Sequence, residues 1–287
     1  MNTVAFTKMH GLGNDYIYFD CVKKPALIPN PAETAIRLSH RNFSIGGDGI
    51  VLIRDHPDAD FQMRMFNADG SESEMCGNAI RCVGKLVYEK GYTTANTFRI
   101  MTGAGILTLE VMVREGKVHS ARVDMGEPIL NGPDIPVAME ANPVRTSIPL
   151  AGGRRHHVTC VSMGNPHAVI FVDEITDEHV LRDGRELENH KLFPNRINVE
   201  FAKVLSRDTI KMRVWERGSG ETMACGTGAC ATAVAAVLND LTDRAVTILP
   251  RGSDYEDGEL LIEWSEENNH VYMTGPATIA FTGQVEI

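Results

Sequence analysis

The sequence contains an internal repeat, which limits the folds that this chain can adopt. A Cys-Gly pair at residues 76–77 recurs at residues 225–226, which is 149 residues later in a chain of 287. Other landmarks recur in the same order at nearly the same spacing, among them Gly13-Asn14 with Gly164-Asn165, Gly49-Ile50-Val51 with Asn198-Val199-Glu200, and Glu72-Ser73 with Glu221-Thr222. Matches at a nearly constant spacing indicate a duplicated unit. The sequence therefore predicts two homologous domains that meet near residues 126–132.

Length and composition are those of an ordinary globular protein. A chain of 287 residues, 43% hydrophobic and 23% charged, is long enough for two domains of roughly 140 residues, each with its own core. The formal net charge of −10 argues against nucleic acid or an anionic membrane as a partner. No apolar run reaches the ~20 residues of a membrane span, and the first residues are typical of a strand rather than a signal peptide. Six cysteines at this length indicate reduced thiols in the cytoplasm.

The spacing of hydrophobic residues predicts many strands and few helices. Alternating segments such as 61–66 indicate strands. After Cys76, apolar residues recur at helical spacing until Gly91, and residues 229–238 are small and apolar on every side, which is typical of a buried helix. We therefore predict an α+β fold of two pseudo-symmetric homologous domains. Each domain would be a mixed, curved β-sheet wrapped around a central helix whose N-terminus carries the cysteine.

The repeat also predicts the domain limits and the place of the active site. We expect a first domain at residues 1–127, with a final strand at about 276–287 packing back on it, and a second domain at 128–275. Surface helices are expected at 31–40, with Asn30 as N-cap, and at 176–190. Two cysteines placed alike in the two halves suggest one pocket in the cleft between the domains, with a sulfur on each side.

A cysteine at a helix start is suited to acid–base chemistry. Unpaired N–H groups and the helix dipole can lower a thiol pKa from about 8.5 into the ~3.5–7.5 range. Inversion of a stereocentre needs proton removal from one face of a carbon and proton delivery to the other, so two groups are required. We expect one thiolate and one thiol at rest, because two neighbouring thiolates repel each other. The pattern predicts Cys76 and Cys225 as the catalytic pair.

Other interpretations of the cysteines stay open on the residues alone. A cysteine can simply be a small buried hydrophobe, as we expect for Cys21, Cys82, Cys160 and Cys230. The spacings Cys76-x5-Cys82 and Cys225-x4-Cys230 lack the close cysteine and histidine pairs of a zinc site, so we expect no metal. From a different functional class, the alternative is a non-catalytic redox or metal-binding thiol protein.

Motifs over essentially the whole chain resemble those of the diaminopimelate epimerase family. They are Lys-Met-His-Gly-Leu-Gly-Asn-Asp (8–15), Phe-Asn-Ala-Asp-Gly-Ser (66–71), Met-Cys-Gly-Asn (75–78), Met-Gly-Asn-Pro-His (163–167), Arg-Ile-Asn-Val (196–199), Glu-Arg-Gly-Ser-Gly-Glu-Thr (216–222), Ala-Cys-Gly-Thr-Gly-Ala-Cys (224–230) and Tyr-Met-Thr-Gly-Pro-Ala (272–277). The resemblance implies interconversion of LL- and meso-diaminopimelate, in lysine and peptidoglycan precursor synthesis, without pyridoxal phosphate or another cofactor. A proline racemase-like enzyme is the nearest alternative, because it shares the plan of two cysteines in two domains.

The resemblance also implies a role for each matching residue. Cys225 would take the proton from the LL substrate and Cys76 would supply one, while His167 and Glu216 would tune the thiols. The implied substrate-binding residues are Asn14, Asn67, Gly77, Asn78, Asn165, Asn198, Glu216, Arg217, Gly226 and Thr227. Glu216 suits a substrate ammonium and Arg217 a carboxylate. A homodimer formed through the region of Tyr272 is implied as well.

One position departs from the family pattern. Many relatives carry a substrate-contacting glutamine where this chain has Gly49. We therefore expect that contact to be missing here, or to be made by the backbone, by water or by a neighbouring side chain.

Overall fold

A computed structural model describes residues 3–24, 27–139, 143–255 and 258–287. Contacts divide the chain into two units. Unit 1 comprises Met1–Val123 with Gly275–Ile287, and unit 2 comprises Asp124–Thr274.

Strands outnumber helices in both units. The chain enters unit 1 with β1 (Thr3–Gly11), β2 (Asn14–Asp20), α1 (Pro31–Ser39), β3 (Gly49–Arg54), β4 (Phe61–Asn67), β5 (Glu72–Ser73), α2 (Gly77–Glu89), β6 (Thr97–Thr102), β7 (Gly105–Arg114) and β8 (Lys117–Asp124). Unit 2 follows with β9 (Thr146–Pro149), β10 (Arg155–Ser162), β11 (Pro166–Phe171), a π-helical segment (Glu178–Gly184), α3 (Arg185–Glu188), β12 (Asn198–Ser206), β13 (Thr209–Glu216), β14 (Gly220–Thr222), α4 (Gly226–Leu238), β15 (Ala245–Leu249), β16 (Leu260–Trp264) and β17 (Val271–Gly275). The last strand, β18 (Thr278–Glu286), belongs to unit 1. Short 3₁₀ turns lie at Gly132–Asp134, Ala151–Gly153 and Arg251–Asp254.

The two units repeat one order of strand pairings. In unit 1, β1–β2 is antiparallel, β2–β3 parallel, β3–β4 antiparallel and β4–β6 parallel. In unit 2, β10–β11, β11–β12, β12–β13 and β13–β15 follow the same alternation. Strand β18 pairs with β1 in antiparallel fashion, as β9 does with β10. The predicted α+β fold of two homologous units, each with a mixed sheet and a central helix, is confirmed.

Both central helices are buried because their sequences present apolar residues to the surrounding sheet. Helix α2 turns Ile80, Val83 and Val87 inward, and each of these side chains is buried. Helix α4 is small and apolar all round, so almost its whole length is buried against β10, β11, β12, β15 and β16. In the part of the chain that the structure describes, no helix is both long enough and apolar enough to cross a membrane.

Two details of the surface helices differ from expectation. Helix α1 begins at Pro31, but the Asn30 side chain makes no capping hydrogen bond, and its Nδ2 lies 3.5 Å from Glu33 Oε2 instead. The helix expected at 176–190 is shorter and starts as a wide π turn before α3. This turn carries the buried Asp183, whose carboxylate contacts Arg154 and His156.

Replacement of Gly84 tests how closely α2 packs on β7. A Cβ at this position would lie 2.1 Å from Leu109 Cδ2 and 3.5 Å from Val111 Cγ1. We expect Gly84→Ala to lower the free energy of unfolding. The overpacking costs about 1–3 kcal/mol, which exceeds the roughly 1 kcal/mol by which alanine is favoured over glycine in a helix.

Urea denaturation of Gly84→Ala, Leu109→Ala and the double variant would measure the coupling between these two positions. We expect the double variant to be more stable than the sum of the two single effects implies, because truncation of Leu109 makes room for the new methyl group. Strictly additive effects would contradict the contact.

Candidate active-site residues at the two helix starts

Each predicted catalytic cysteine is the N-cap residue of the central helix of its unit. Cys76 precedes α2 with φ −141° and ψ 119°, and Cys225 precedes α4 with φ −121° and ψ 113°. Both are extended conformations, so the two helix starts present their cysteines in the same local geometry. Cys76 is half-buried, whereas Cys225 is buried.

In unit 1 the sulfur of Cys76 faces an acceptor. Its Sγ donates to Asn14 Oδ1 at 3.3 Å, and Asn78 Nδ2 donates to the same oxygen at 3.2 Å. The orientation of the Asn14 amide is fixed, because its Nδ2 donates to Asp48 Oδ2 at 2.8 Å. An amide oxygen can only accept hydrogen bonds, so this contact requires Cys76 to be a thiol.

Charged side chains surround Asp48, the residue that fixes the Asn14 amide. Asp48 also accepts from the backbone N–H of Asp15 at 3.0 Å and from Arg41 at 2.8 Å. Arg41 and the buried Lys8 pair with Asp15 at 2.6 and 2.5 Å. Burial and the neighbouring charge of Asp15 raise the pKa of Asp48. Burial also acts to raise the pKa of Asp15, but the hydrogen bonds from Arg41 and Lys8 outweigh it, so the pKa of Asp15 is lowered.

In unit 2 the sulfur of Cys225 faces donors instead. The N–H of Gly228 donates to Sγ at 3.4 Å, and Thr227 Oγ1 lies 3.4 Å from it. Both groups stabilise a thiolate. Burial nevertheless raises the pKa of Cys225 well above its ordinary value, and the charges of Glu216 and Glu200 raise it further.

The expectation that a helix start lowers the thiol pKa is therefore wrong for Cys225. The N–H groups at the start of α4 do act in the expected direction, since the hydrogen bond from Gly228 lowers the pKa. Loss of hydration and two neighbouring carboxylates act in the opposite direction and prevail.

The two residues expected to tune the thiols both lie in unit 2. His167 is fully buried on β11, with Nδ1 2.6 Å from Glu200 Oε1 and Nε2 3.0 Å from Asn165 Oδ1. Glu216 ends β13, where its Oε1 accepts from Thr222 Oγ1 at 2.5 Å. The charge of Glu216 acts on the thiol of Cys225 directly.

The remaining predicted binding residues are divided between the units. Unit 1 holds Asn14, Asn67, Gly77 and Asn78, and unit 2 holds Asn165, Asn198, Glu216, Arg217, Gly226 and Thr227. Asn67 Nδ2 donates to Ser71 Oγ at 3.0 Å. The buried Asn198 donates to the Pro166 carbonyl at 2.9 Å and accepts from the backbone N–H of Arg217 at 2.8 Å. Hydrogen bonds within the protein thus fix the side chains of Asn67 and Asn198.

The guanidinium of Arg217 stays accessible. Its side chain is exposed, and Nη1 donates to the Asn195 carbonyl at 3.2 Å. The backbone of Arg217 is fixed by Asn198, so the position of the side chain is set at its base. The arrangement can present planar paired donors to a carboxylate.

Gly49 cannot take the glutamine that the family resemblance implies at this position. It begins β3 and pairs with Tyr16 and Asn67 on the neighbouring strands. A Cβ here would lie 2.0 Å from the Phe66 carbonyl oxygen and 3.0 Å from the Tyr16 ring. A glutamine does not fit this backbone, so a side-chain contact from this position is absent.

Sequence reasoning did not single out three polar residues that contact the predicted site: Asp48, Arg81 and Glu200. Arg81 is fully buried, and its guanidinium donates to Gly77 O at 3.1 Å and to Asn78 Oδ1 at 3.0 Å. The sequence signal that could have identified such residues is a charged side chain at a position where the pattern of a buried helix or strand predicts an apolar one. Glu200 in Asn-Val-Glu-Phe-Ala is the clearest case.

The other cysteines are buried thiols. Burial raises the pKa of Cys21 and of Cys82 to about 11, and it raises the pKa of Cys160 as well. Cys230 is fully buried within α4. Among the residues that the structure describes, His, Cys, Asp and Glu side chains form no group of three or more that could hold a metal ion.

Solved structures of low sequence identity share this fold. One is a phenazine biosynthesis protein of the PhzF family from Bacillus anthracis, with a TM-score of 0.71 and 16% identity over 100% of both chains. Another is a probable proline racemase from Agrobacterium radiobacter, with a TM-score of 0.70 and 13% identity over 99% of this chain and 93% of that one. A hydroxyproline epimerase from Agrobacterium vitis has a TM-score of 0.68 and 13% identity over 99% of this chain and 91% of that one. At such identities the likeness shows the fold alone.

Sequence comparison is more specific than the comparison of folds. The family model described as diaminopimelate epimerase matches residues 6–131 and 159–280, a span that includes all the motifs named above. A diaminopimelate epimerase of Acetivibrio thermocellus is 54% identical over 99% of both chains. Those of Methanococcus maripaludis and Agathobacter rectalis are 52% and 50% identical over 99% of this chain and 100% of theirs. The chain therefore belongs to the diaminopimelate epimerase family.

Proposed function

We propose that this chain interconverts LL-2,6-diaminopimelate and meso-2,6-diaminopimelate by two-base proton transfer at the α-carbon. The observation that carries the proposal is the opposite hydrogen bonding of the two N-cap cysteines. Cys76 donates to Asn14, whereas Cys225 accepts from Gly228. Inversion requires one acid and one base, and these hydrogen bonds suit a thiol at Cys76 and a thiolate at Cys225. Cys225 takes the proton from the LL substrate and Cys76 supplies one to the opposite face.

The raised pKa of Cys225 fits the role of base. A thiolate of high proton affinity is a stronger base toward a weakly acidic α-proton. In the free enzyme Glu216 helps to keep this thiol protonated. An ammonium group of the substrate, bound by Glu216, would cancel that negative charge and favour the thiolate. The base would then form when the substrate binds.

A substrate with an ammonium and a carboxylate at both ends matches the polar groups in both units. The backbone N–H groups at Gly77-Asn78 and Gly226-Thr227 begin helices, and helix starts bind anions such as a carboxylate. The exposed guanidinium of Arg217 suits the second carboxylate, and amides supply both donors and acceptors. We assign Asn14 and Asn198 a further part, since they also orient Cys76 and the Arg217 backbone.

We also propose that the enzyme acts in the cytoplasm as a homodimer, without a cofactor or metal. Both proton transfers are assigned to side chains of the chain itself, so the reaction needs no further group. The acidic balance, with a net charge of −10, favours a small-molecule substrate over nucleic acid or an anionic membrane.

Incubation in deuterium oxide tests the reaction and the substrate together. We expect deuterium to enter the α-position of the meso product formed from LL-diaminopimelate, because the delivering thiol exchanges its proton with solvent. L-Proline, treated in parallel, should gain no label. Mass spectrometry would measure both. Label in proline alone would favour the proline racemase-like alternative, and label in neither would favour a non-catalytic thiol protein.

Replacement of each N-cap cysteine tests the assignment of the acid–base pair. We expect Cys76→Ala and Cys225→Ala to lower turnover by at least about 10²–10⁴-fold, because each removes one of the two proton-transfer groups. Circular dichroism should show an intact fold. Cys82→Ala on α2 and Cys230→Ala on α4 are matched controls, since both thiols are buried in the same two helices. Retention of a tenth of normal turnover by either N-cap variant would contradict the assignment.

Replacement of Tyr272 tests the proposed dimer. This residue is half-buried on β17, and its hydroxyl accepts from Asn268 Nδ2 at 2.8 Å. We expect Tyr272→Ala to increase the monomer fraction in sedimentation velocity experiments, because it removes an aromatic contact from the interface. Tyr255→Ala is the control, since that side chain is 71% exposed. A monomeric wild-type protein would contradict the proposal.

A further inference from the structure

A buried carboxylate in unit 2 has no counterpart in unit 1. Glu200 on β12 and Val51 on β3 are both 0% exposed, and they lie 149 residues apart, at the spacing of the repeat. Glu200 pairs with Val169 on β11, and Val51 pairs with Tyr18 on β2, so the two positions are equivalent in register. Unit 1 builds the same sheet with a valine. The architecture of the repeat therefore does not require a carboxylate at this position.

The carboxylate of Glu200 is only partly compensated. Its Oε1 lies 2.6 Å from His167 Nδ1, and within the described parts of the chain Oε2 has no hydrogen-bond partner. Burial of a carboxylate disfavours folding unless paired charges and hydrogen bonds offset it. A buried polar group that the fold does not need, and that is incompletely bonded, points to a role in the chemistry of its neighbours.

Those neighbours are His167 and the start of α4. A carboxylate and an amide oxygen can only accept, so in these two contacts His167 donates from Nδ1 to Glu200 and from Nε2 to Asn165 Oδ1, which fixes the orientation of the ring. On the other side, a Cβ at Gly228 would lie 2.7 Å from Glu200 Oε1 and 3.3 Å from Cys225 Sγ. The glycine thus leaves the space through which the carboxylate approaches the N-cap sulfur.

We propose that Glu200 is a positioning residue that makes the two N-cap cysteines unequal. It holds the His167 ring, and with it Asn165, and it places a negative charge near the sulfur of Cys225. Its effect on turnover rests on the proposed function. Its effect on the Cys225 thiol is a property of the protein alone and can be measured without a substrate.

The direction of the electrostatic effect agrees with this geometry. Burial, Glu216 and Glu200 all raise the pKa of Cys225. Besides Cys225 and Glu200 themselves, the elements around them carry these ionisable groups: Glu216 at the end of β13, His167 on β11, Cys160 on β10 and Cys230 on α4. Strand β15 carries no ionisable side chain. On β16, Glu263 alternates with buried apolar residues and so lies on the face away from α4.

Two substitutions separate the charge of Glu200 from its hydrogen bond. Glu200→Gln keeps an acceptor for His167 but removes the charge, and Glu200→Val installs the residue of unit 1 and removes both. Asp183→Asn is the matched control, because Asp183 is a buried carboxylate of unit 2 that contacts a histidine, His156, at 2.8 Å. The measurement is the rate of alkylation of Cys225 by iodoacetamide as a function of pH, followed by peptide mass spectrometry on the full chain.

We expect both Glu200 variants to be alkylated with a midpoint at least about one pH unit lower than wild type, because removal of a nearby negative charge favours the thiolate. Asp183→Asn should keep the wild-type midpoint. With diaminopimelate, Glu200→Gln should lower kcat with little change in KM, because it weakens the base but keeps His167 in place. Glu200→Val should also raise KM, because Asn165 loses its support.

A wild-type midpoint in Glu200→Gln would overturn the proposal, and this nearly isosteric variant decides the matter if Glu200→Val fails to fold. An equal shift in Asp183→Asn would overturn it as well, since the effect would then be general to buried carboxylates. A shifted midpoint in a protein that does not label diaminopimelate would leave the role of Glu200 standing. That result would overturn the proposed function instead.

Discussion

Each unit is organised by the burial of one helix inside its mixed sheet. The apolar face of α2 and the largely apolar α4 can leave water only if the strands of their units close around them. A helix fixed in this way has its first turn fixed as well. The N-cap cysteine and the N–H groups that follow it are therefore positioned by the core rather than by a flexible loop. This is how the repeated unit can hold a reactive group rigidly.

Duplication supplies two equal positions, whereas proton transfer in one direction needs two unequal groups. The inequality comes from side chains that the repeat does not share. In unit 1 the charged network of Lys8, Asp15, Arg41 and Asp48 turns the Asn14 oxygen toward Cys76, which must then donate. In unit 2 the sulfur accepts from the helix start while carboxylates oppose its ionisation. The common backbone sets where each thiol lies, and the local side chains decide its protonation.

The fold could be predicted from the sequence because its signals are local or periodic. Strand β4 (Phe61–Asn67) lies where the alternation of apolar residues at 61–66 predicted a strand. The constant spacing of the repeat then predicted two units, and the Cys-Gly pairs predicted the two helix starts. The proton affinity of Cys225 could not be predicted in this way. It depends on its depth in the core and on Glu200 and Glu216, which come from strands that meet the helix start only in three dimensions.

In the proposed mechanism the carboxylates near Cys225 have opposing effects on proton transfer. Each pKa unit added to a thiol is worth about 1.4 kcal/mol, so neighbouring negative charges reduce the thiolate population at neutral pH while making each thiolate a stronger base. A charge that a substrate ammonium can cancel, as at the partly accessible Glu216, reduces the population only in the free enzyme. A charge buried at Glu200 persists in the complex and so keeps the base strong while the proton is transferred. In this proposal the accessible carboxylate controls when the thiolate forms, and the buried one controls how basic it is.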